Sequence, residues 1–297
     1  MNSRSKAHLA LLIVALIYSA NYIIAKDLMP HYISPRGFIF LRVIGATVLF
    51  LILGACVKSK TQIARNDWFR IVLCGLFGVA ANQILFFEGL NLTSPISASV
   101  IMTLNPVLVL AMGALMLNEK MTRTKILGVF IGGVGAVWLI LGSSGDRSSL
   151  FSISWGNLFI FLNATSYALY LVLVKPLMSK YQPLQVIRWV FTAGLFISLP
   201  FTTKSFIELN WSLWTTQTYV SAVYVVVFTT FLAYLLNVFA LKTLTSSTVS
   251  IYIYLQPLLT TSLALILGKD ELTVGIICAA SLIFSGVYLV SKKRKTS

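Results

Sequence analysis

A repeated apolar segment with a proline at its centre constrains this chain more than any other feature. The first copy, residues 93–122, is long enough to cross a bilayer, yet Asn105 and the proline that follows it stand in its middle. A second copy, residues 244–273, lies 151 residues further on and places Gln256 and its proline at the same point. Two such membrane segments predict a duplicated membrane protein with a working site between its halves.

The composition allows little besides membrane helices. Of 297 residues, 58% are hydrophobic and 10% are charged, and the mean hydropathy is +0.88. A soluble domain would need more polar surface. Each span needs about 20 apolar residues, so the chain has room for about ten. The predicted spans are 7–28, 35–57, 68–90, 95–117, 124–143, 154–176, 183–203, 214–241, 246–268 and 272–291.

The net charge of +15 does not predict a nucleic-acid partner, because the basic residues stand in short loops between apolar runs and in the tail 292–295. The partner that this pattern predicts is the lipid bilayer. Cys56, Cys74 and Cys278 fall inside apolar runs and form an odd set, so neither a disulfide framework nor metal-ligand spacing is visible. No metal and no cofactor is expected.

Lysine and arginine predict the orientation. If the N-terminus is cytoplasmic, 15 of the 23 basic residues lie on that side. These are Arg4, Lys6, Lys58, Lys60, Arg65, Arg70, Lys120, Arg123, Lys125, Lys180, Lys242 and the tail 292–295. Four lie outside, namely Arg36, Arg147, Lys204 and Lys269, and four fall within spans. We therefore expect a multi-pass protein of the inner (plasma) membrane with both termini in the cytoplasm, and a first span that is retained as a helix.

The repeat extends beyond the proline segments. Tyr18 and Lys26 recur 149 residues later as Tyr167 and Lys175, and Gly135 matches Gly286. We predict two repeats, 1–147 and 148–297, of five helices each. Because five is odd, the second copy enters the membrane from the opposite face. The predicted fold is an all-α integral membrane protein with ten transmembrane helices as two inverted five-helix repeats, a plan found in secondary transporters.

The prolines predict helix kinks and a polar lining. Pro106 and Pro257 cannot donate a backbone hydrogen bond, so each helix should kink at mid-depth. Four-residue spacing aligns Ser97, Ile101 and Asn105 on one face of the first helix. The matching face of the second carries Thr248, Tyr252 and Gln256. We expect Asn105 and Gln256 to face a shared cavity; the alternative is that the prolines are ordinary kinks and the amides bond neighbouring helices.

Further amides and aromatic residues within the spans extend the predicted lining. They are Asn21, Asn82, Gln83, Asn163, Tyr167, Tyr170, Tyr234 and Asn237. Amides, hydroxyls and aromatic faces suit a small amphipathic solute, amino acids among them, better than a bare ion. Tyr18 and Tyr32 are left out, because aromatic residues near span ends are typical of interface belts.

Charges within the spans need an explanation, because a charge at the bilayer centre costs about 2.5–3.5 kcal/mol on insertion scales. Lys26, Arg42 and Glu88 all fall toward the outer third of the first half. One hypothesis makes Glu88 a proton-coupling or gating residue that works through Arg42 or Lys26. The alternative is a structural ion pair, with the lysine reaching toward the interface.

Small residues in the fifth predicted helix indicate close helix packing. Gly128, Gly132 and Ala136 follow one another at four-residue spacing, and Gly275 and Ala279 form a weaker version in the tenth helix. We interpret both helices as scaffold. A homodimer contact through them stays open.

An enzyme is not expected. Membrane transferases generally need clustered acids or histidines, whereas the two histidines, His8 and His31, stand near span ends and no DxxD-type cluster occurs. No P-loop or other phosphate cradle is present, so ATP-driven pumping is not expected. A solute channel stays an alternative, and saturation with counterflow would distinguish a carrier from it.

Several motifs, in their order and spacing, resemble a known family. Helix 1 contains YSANYIIAKDL, helix 2 opens with Pro35 and Leu41-Arg42, and TSPISASVIMTLNPV is followed by LNEKMT. The second half contains FTTFLAYLLNVFALKTL, LTSSTVSIYIYLQPLL and KDELT. Over nearly all its length the chain resembles the EamA-type branch of the drug/metabolite transporter superfamily. The resemblance implies a ten-helix inner-membrane carrier, often an exporter of amino acids or related metabolites, with a central cavity between its halves.

The sequence therefore predicts a carrier of a small organic solute that works by alternating access. Export of amino acids or related metabolites is the first choice. Uptake or exchange of another metabolite is the second, and a solute channel is the third.

Overall fold

Ten apolar helices make up the part of the chain that the structure describes. The computed structural model describes residues 3–56, 62–117, 122–142, 153–241, 243–244 and 252–291, and within these ranges it contains no strand. Eight of the helices in these ranges are long and apolar enough to cross a membrane, and α9 and α10 are shorter. The helices are α1 Ser3–Leu28, α2 Pro35–Cys56, α3 Asp67–Leu92, α4 95–117, α5 Arg123–Gly142, α6 Trp155–Lys180, α7 Pro183–Ile207, α8 216–241, α9 Tyr252–Ile266 and α10 Val274–Ser291.

Some positions used in the sequence analysis lie outside the described ranges. The predicted boundary between 147 and 148 is one of them. The others are Lys58, Lys60, Lys120, Arg147, Lys242, Thr248 and the tail 292–295.

Short polar side chains begin two of the helices. Ser94 accepts a hydrogen bond from the backbone N–H of Ser97 at 3.2 Å, and Pro95 occupies the first helical position of α4. Thr215 accepts from the N–H of Thr218 at 3.3 Å at the start of α8. These caps satisfy backbone donors that the first turn of a helix leaves free.

The two helices that carry the central prolines are irregular at equivalent points. A two-residue turn divides α4 into Pro95–Met102 and Asn105–Leu117. Two backbone bonds of 3.1 and 3.0 Å close this turn, each to the carbonyl three residues earlier. α9 enters its α-helical part, Leu255–Ile266, through a 3₁₀ turn at Tyr252–Tyr254. Each irregular turn ends just before the proline that lacks a donor.

π-helical turns also occur at equivalent positions of the two repeats. One lies at Leu76–Ala80 in α3 and the other at Tyr224–Leu232 in α8, so their starts are separated by about the repeat offset. Ser166 of α6 donates to a carbonyl of the first turn at 2.8 Å. The Tyr224 hydroxyl of the second turn donates to the carbonyl of Ile17 in α1 at 3.1 Å. Nothing in the apolar pattern predicted these turns, which are frequent at functional sites.

The ends of the bundle show how α9 is oriented. We call the end at which α1 begins the near end and the opposite one the far end. His8 in the first turns of α1 shares a hydrogen bond of 2.9 Å with Tyr252 at the start of α9. Asp27 at the other end of α1 pairs with Lys269, just after α9, at 3.0 Å. α9 therefore runs parallel to α1.

α4 runs in the opposite direction to α9. The N–H of Ile96 at the start of α4 donates to Asp270, just after the end of α9, at 2.9 Å. The packing of the helices repeats between the halves. α1 packs on α8 and α9, and its counterpart α6 packs on α3 and α4. α2 packs on α7 and α5 on α10 across the axis that relates the halves. The two halves are therefore inverted copies, as predicted.

α5 and α10 pack through their glycines. A Cβ atom built on Gly286 would lie 2.5 Å from the carbonyl oxygen of Gly128 and 2.6 Å from the backbone nitrogen of Gly132. One built on Gly135 would lie 2.9 Å from the carbonyl oxygen of Ala279. The small-residue face of α5 is thus covered by α10 of the same chain, and a homodimer would need a different surface.

Candidate functional site

Four tyrosines and one arginine from both halves gather inside the bundle. This tyrosine–arginine cluster consists of Tyr18 in α1, Arg42 in α2, Tyr167 and Tyr170 in α6, and Tyr234 in α8. Tyr234 lies within electrostatic range of each of the other four side chains. The rings of Tyr167 and Tyr170 are 5.7 Å apart. The cluster brings residues far apart in the chain to the contact between the inverted halves.

The polar atoms of the tyrosine–arginine cluster lie deep but are not sealed. Tyr170 and Arg42 are each 6% exposed. In the described part of the chain, the four hydroxyls and the terminal nitrogens of Arg42 make no hydrogen bond, yet none is among the fully enclosed polar atoms. A hydroxyl packed against apolar atoms without a partner would be costly. We infer that these atoms border an internal polar cavity.

Buried aromatic rings support Tyr234 from behind. Phe50 and Phe191 are 0% and 2% exposed and lie 4.9 Å apart. The Tyr234 ring is 5.5 Å from Phe191 in an edge-to-face arrangement and 6.1 Å from Phe50. Such contacts fix ring orientation. Tyr234 is therefore held by packing while its hydroxyl faces the cavity.

The π-helical turn in α3 makes room for Tyr170. Gly78 lies in this turn, and a Cβ atom built on it would stand 2.5 Å from Cδ2 and 2.9 Å from Cε2 of the Tyr170 ring. Glycine is the residue without a Cβ, so the ring can pack directly on the backbone. The turn and the glycine together set the position of Tyr170 in the cluster.

Arg42 has neutral partners. Its Nε donates to Oγ1 of Thr230 at 2.6 Å, and its guanidinium lies 5.2 Å from the centre of the Phe87 ring. Thr230 belongs to the π-helical turn of α8, where its hydroxyl also donates to the carbonyl of Val225 at 3.2 Å. These two bonds hold the Nε side of the guanidinium in place. Neither of them involves the two terminal nitrogens.

Glu88 does not pair with the two cations that the sequence suggested. Its Oε1 lies 2.9 Å from Nε of Arg36, and both side chains are partly exposed at the far end. Lys26 instead donates to the carbonyls of Leu90 and Asn91 at 2.9 and 2.7 Å, where a cation complements the end of α3. Glu88 therefore pairs with Arg36 in this conformation, as the structural ion-pair alternative allows, and gating through Arg42 or Lys26 stays a prediction. Sequence distance could not distinguish Arg36 from them, because Arg36 stands only six residues before Arg42 in α2.

Three of the predicted amides bond to backbone. Nδ2 of Asn163 donates to the carbonyl of Asn82 at 2.7 Å, and Nδ2 of Asn82 approaches the carbonyl of Asn163 at 3.5 Å. This pair joins α3 to α6, as the alternative interpretation of the amides expects. Asn237 donates to the carbonyl of Ala233 in its own helix at 2.9 Å.

Four predicted lining amides have an enclosed oxygen. Within the described residues, no donor reaches the side-chain oxygens of Asn21, Gln83, Asn105 and Asn163, and these atoms are fully buried. They do not face the accessible cavity in this conformation. An unsatisfied buried acceptor costs about 1–3 kcal/mol. A conformation that hydrates these oxygens would recover that cost.

The remaining predicted residues lie apart from the cluster or at its edge. Ile101 is 0% exposed and belongs to the main apolar core. Tyr252 lies at the near end beside His8. Gln256 is partly buried, and its backbone carbonyl accepts from Ser19 at 3.3 Å. Asn105 is 4% exposed, so it does not stand on the outer surface.

Sequence reasoning missed three members of the site. Tyr18 was set aside as a belt residue, although its recurrence as Tyr167 could have identified it. Thr230 and Gly78 carried no signal, because their roles depend on π-helical turns. No three His, Cys, Asp or Glu side chains of the described chain stand close enough to hold a metal ion.

Comparison with known families gives a match over almost the whole chain. The EamA-like transporter family matches residues 5–141 and again residues 154–292. The two matched ranges leave only a short stretch between them, in the region where the sequence predicts the boundary of its repeats.

Similar individual proteins are also transporters. The uncharacterized transporter YyaM of Bacillus subtilis is 29% identical over 83% of this chain and 80% of its own. A probable terminal-alkyne amino-acid exporter of Streptantibioticus cattleyicolor is 26% identical over 66% of this chain and 64% of its own. One solved crystal structure shares the fold with a TM-score of 0.62 and 20% identity, over 97% of both chains.

Proposed function

The chain belongs to the EamA-like transporter family and is a membrane transporter, and from this premise we propose that it exports small organic solutes by alternating access. Amino acids and related metabolites are the proposed solute class. The similar amino-acid exporter supports this class. So does the composition of the cavity, which offers hydroxyls, aromatic faces and one cation.

The observation that carries the proposal is the tyrosine–arginine cluster between inverted halves. Its members come from α1 and α2 of the first half and from α6 and α8 of the second. Secondary transporters of inverted-repeat design hold their solute at this place. A site built from both halves changes its access when one half moves against the other.

Contacts at both ends of the bundle support a carrier over an open channel. At the near end, Asp67 of α3 accepts from Lys180 at 3.1 Å and from the Tyr181 hydroxyl at 2.8 Å. At the far end, Asp27 pairs with Lys269 at 3.0 Å. These contacts join the two halves above and below the cavity. A carrier needs such contacts to break in turn.

The enclosed amide oxygens support a second conformation. Asn21 in α1, Gln83 in α3 and Asn105 in α4 each bury an acceptor that no described donor reaches. Movement of the halves that widens the cavity would expose them to water or solute. Their burial without a hydrogen-bond donor costs free energy in this conformation. An open conformation that hydrates them removes that cost.

The proposal is tested by counterflow in proteoliposomes. Purified full-length protein is reconstituted, the vesicles are loaded with one unlabelled amino acid at a time, and uptake of the same labelled amino acid is followed. We expect saturable uptake that the internal amino acid accelerates, for at least one member of the set. Protein-free vesicles and vesicles with heat-denatured protein are the controls.

The alternatives have distinct results. Uptake that rises linearly with concentration, without acceleration by internal solute, indicates a channel. Exchange of other metabolites but of no amino acid contradicts the proposed solute class. Exchange of nothing contradicts the carrier.

The proposed location is the inner (plasma) membrane, with both termini in the cytoplasm. The excess of lysine and arginine on one side of the predicted spans supports this orientation. In cells, the export direction is tested by release of preloaded solute, which expression of the protein should accelerate.

A further inference from the structure

Arg42 is a buried cation without an acidic partner. It is 6% exposed, and in the described part of the chain no carboxylate forms an ion pair with it. The titratable groups that act on it electrostatically are the hydroxyls of Tyr18 and Tyr234, which are neutral at ordinary pH. A buried charge is costly when nothing compensates it. The charge therefore indicates an external partner of opposite sign.

The orientation of Arg42 leaves a free binding edge. Nε is bonded to Thr230 at 2.6 Å, and the guanidinium face lies 5.2 Å from the centre of the Phe87 ring. The terminal nitrogens have no hydrogen-bond partner in the described residues and are not enclosed. A guanidinium held at one side presents its remaining N–H groups as a planar fork, which matches a carboxylate.

The surroundings of Arg42 suit an acid that also has an apolar part. The hydroxyls of Tyr18 and Tyr234 add neutral donors near the guanidinium. The paired rings of Tyr167 and Tyr170 form an aromatic wall of the same cavity. Because no acidic side chain among the described residues interacts with Arg42, the local charge is positive. Such a cavity favours an anion or a carboxylate-bearing zwitterion over a cation.

We propose that Arg42 binds the carboxylate of the transported solute, with the solute's apolar or aromatic group against the tyrosine rings. This inference rests on the proposed function and narrows it to organic carboxylates. It replaces the gating role considered for Arg42 in the sequence analysis. It assigns Thr230 as a positioning residue that acts through Arg42.

A matched pair of ligands tests the carboxylate directly. Binding of 3-phenylpropanoate and of its neutral analogue 3-phenylpropanamide to the purified full-length protein is measured by isothermal titration. The two ligands differ in the acid group alone. We expect the acid to bind at least about tenfold more tightly than the amide, because a charge-assisted bidentate pair is lost with the amide. This comparison requires no variant.

Variants assign the preference to Arg42. Arg42→Gln should bind the acid and the amide equally. Arg42→Lys keeps the charge but loses the fork, so its preference should fall between those of Arg42→Gln and the wild type. The matched control is Arg188→Gln, because Arg188 donates to the carbonyl of Gly54 at 3.3 Å and lies over Trp189, away from the cluster. It should keep the wild-type preference.

The outcomes separate this inference from the proposed function. If the wild type exchanges amino acids in counterflow but binds acid and amide equally, the carboxylate site is contradicted and the carrier stands. If the acid is preferred through Arg42 but no solute is exchanged, the site stands and the carrier fails. Binding of neither ligand, or an unchanged preference in Arg42→Gln and Arg42→Lys, overturns the inference.

Discussion

Replacing Gly78 with leucine is expected to lower solute exchange by at least about fivefold, because strain of about 1–3 kcal/mol in a packed site corresponds to about 5- to 150-fold in binding. A Cβ atom at this position would lie 2.5, 2.7 and 2.9 Å from three atoms of the Tyr170 ring. The ring would have to move into the cavity that its hydroxyl faces. Counterflow of the solute found in the wild-type screen measures the effect, with Gly78→Ala as the milder step of the series.

The control for this prediction is Gly133→Leu. Gly133 lies in α5, and a Cβ atom built on it meets nothing within 4 Å. The control adds the same side chain to a membrane helix far from the tyrosine–arginine cluster, so it should keep wild-type exchange. Both variants should elute as monodisperse protein in size-exclusion chromatography. Equal exchange by Gly78→Leu and Gly133→Leu would show that Tyr170 does not line the solute path.

Replacing Gly286 with valine is expected to cause the largest loss of stability. Its Cβ would lie 2.5 Å from the Gly128 oxygen and 2.6 Å from the Gly132 nitrogen. Backbone atoms cannot rotate away as a side chain can, so α5 and α10 must separate. Overpacking of this kind costs about 1–3 kcal/mol, which lowers the melting temperature of a chain of this length by about 2–5 °C. The melting temperature of the detergent-purified protein measures it.

Gly133→Val serves as the matched control, since it places the same side chain on the open face of α5. Its melting temperature should stay close to that of the wild type. A Gly286→Val protein that melts at the wild-type temperature would contradict the close packing of α5 on α10. Because these helices lie away from the tyrosine–arginine cluster, folded Gly286→Val protein should still bind 3-phenylpropanoate.

The fold could be predicted from sequence because its signals are long and repeated. The helix starting at Pro35 and the one starting at Pro183 begin where the sequence placed them. The offset between Asn105 and Gln256 predicted the duplication, and an odd number of helices per copy predicted the inversion. The contacts of α9 with both ends of α1 then confirmed the inversion.

The details of the site could be predicted only in part. Tyr167, Tyr170 and Tyr234 were chosen from the sequence as polar aromatic residues within spans, and the structure brings them together, while their contact with solute stays a prediction. Asn82 and Asn163 were also identified, but their bonds to each other's backbone carbonyls depend on how α3 and α6 meet. A single helix sequence does not contain that information.

The partners of the charged residues could not be predicted. From the sequence, Lys26, Arg36 and Arg42 were all possible partners of Glu88. In the structure Glu88 pairs with Arg36, the most exposed of the three. Arg42 bonds to Thr230, which lies 188 residues away in a π-helical turn. Such a turn depends on one hydrogen bond shifted by one residue, and the hydropathy pattern is nearly the same with or without it.

The glycines of α5 show a different limit. Gly128 and Gly132 indicated close packing correctly, but spacing alone does not identify the neighbouring helix. The structure places α10 of the same chain on them. The expectation of scaffold helices agrees with this packing, and a dimer contact would have to use another face.

In the proposed transport cycle, Tyr234 faces a solute cavity that opens to each side of the membrane in turn. The direct test is labelling of Tyr234→Cys with a membrane-impermeant maleimide, in a variant whose three cysteines, Cys56, Cys74 and Cys278, are replaced. We predict that the cysteine reacts in both right-side-out and inside-out vesicles, and that saturating solute slows the reaction in both. Absence of reaction from either side, or reaction that solute does not slow, would contradict the cavity and the carrier built on it.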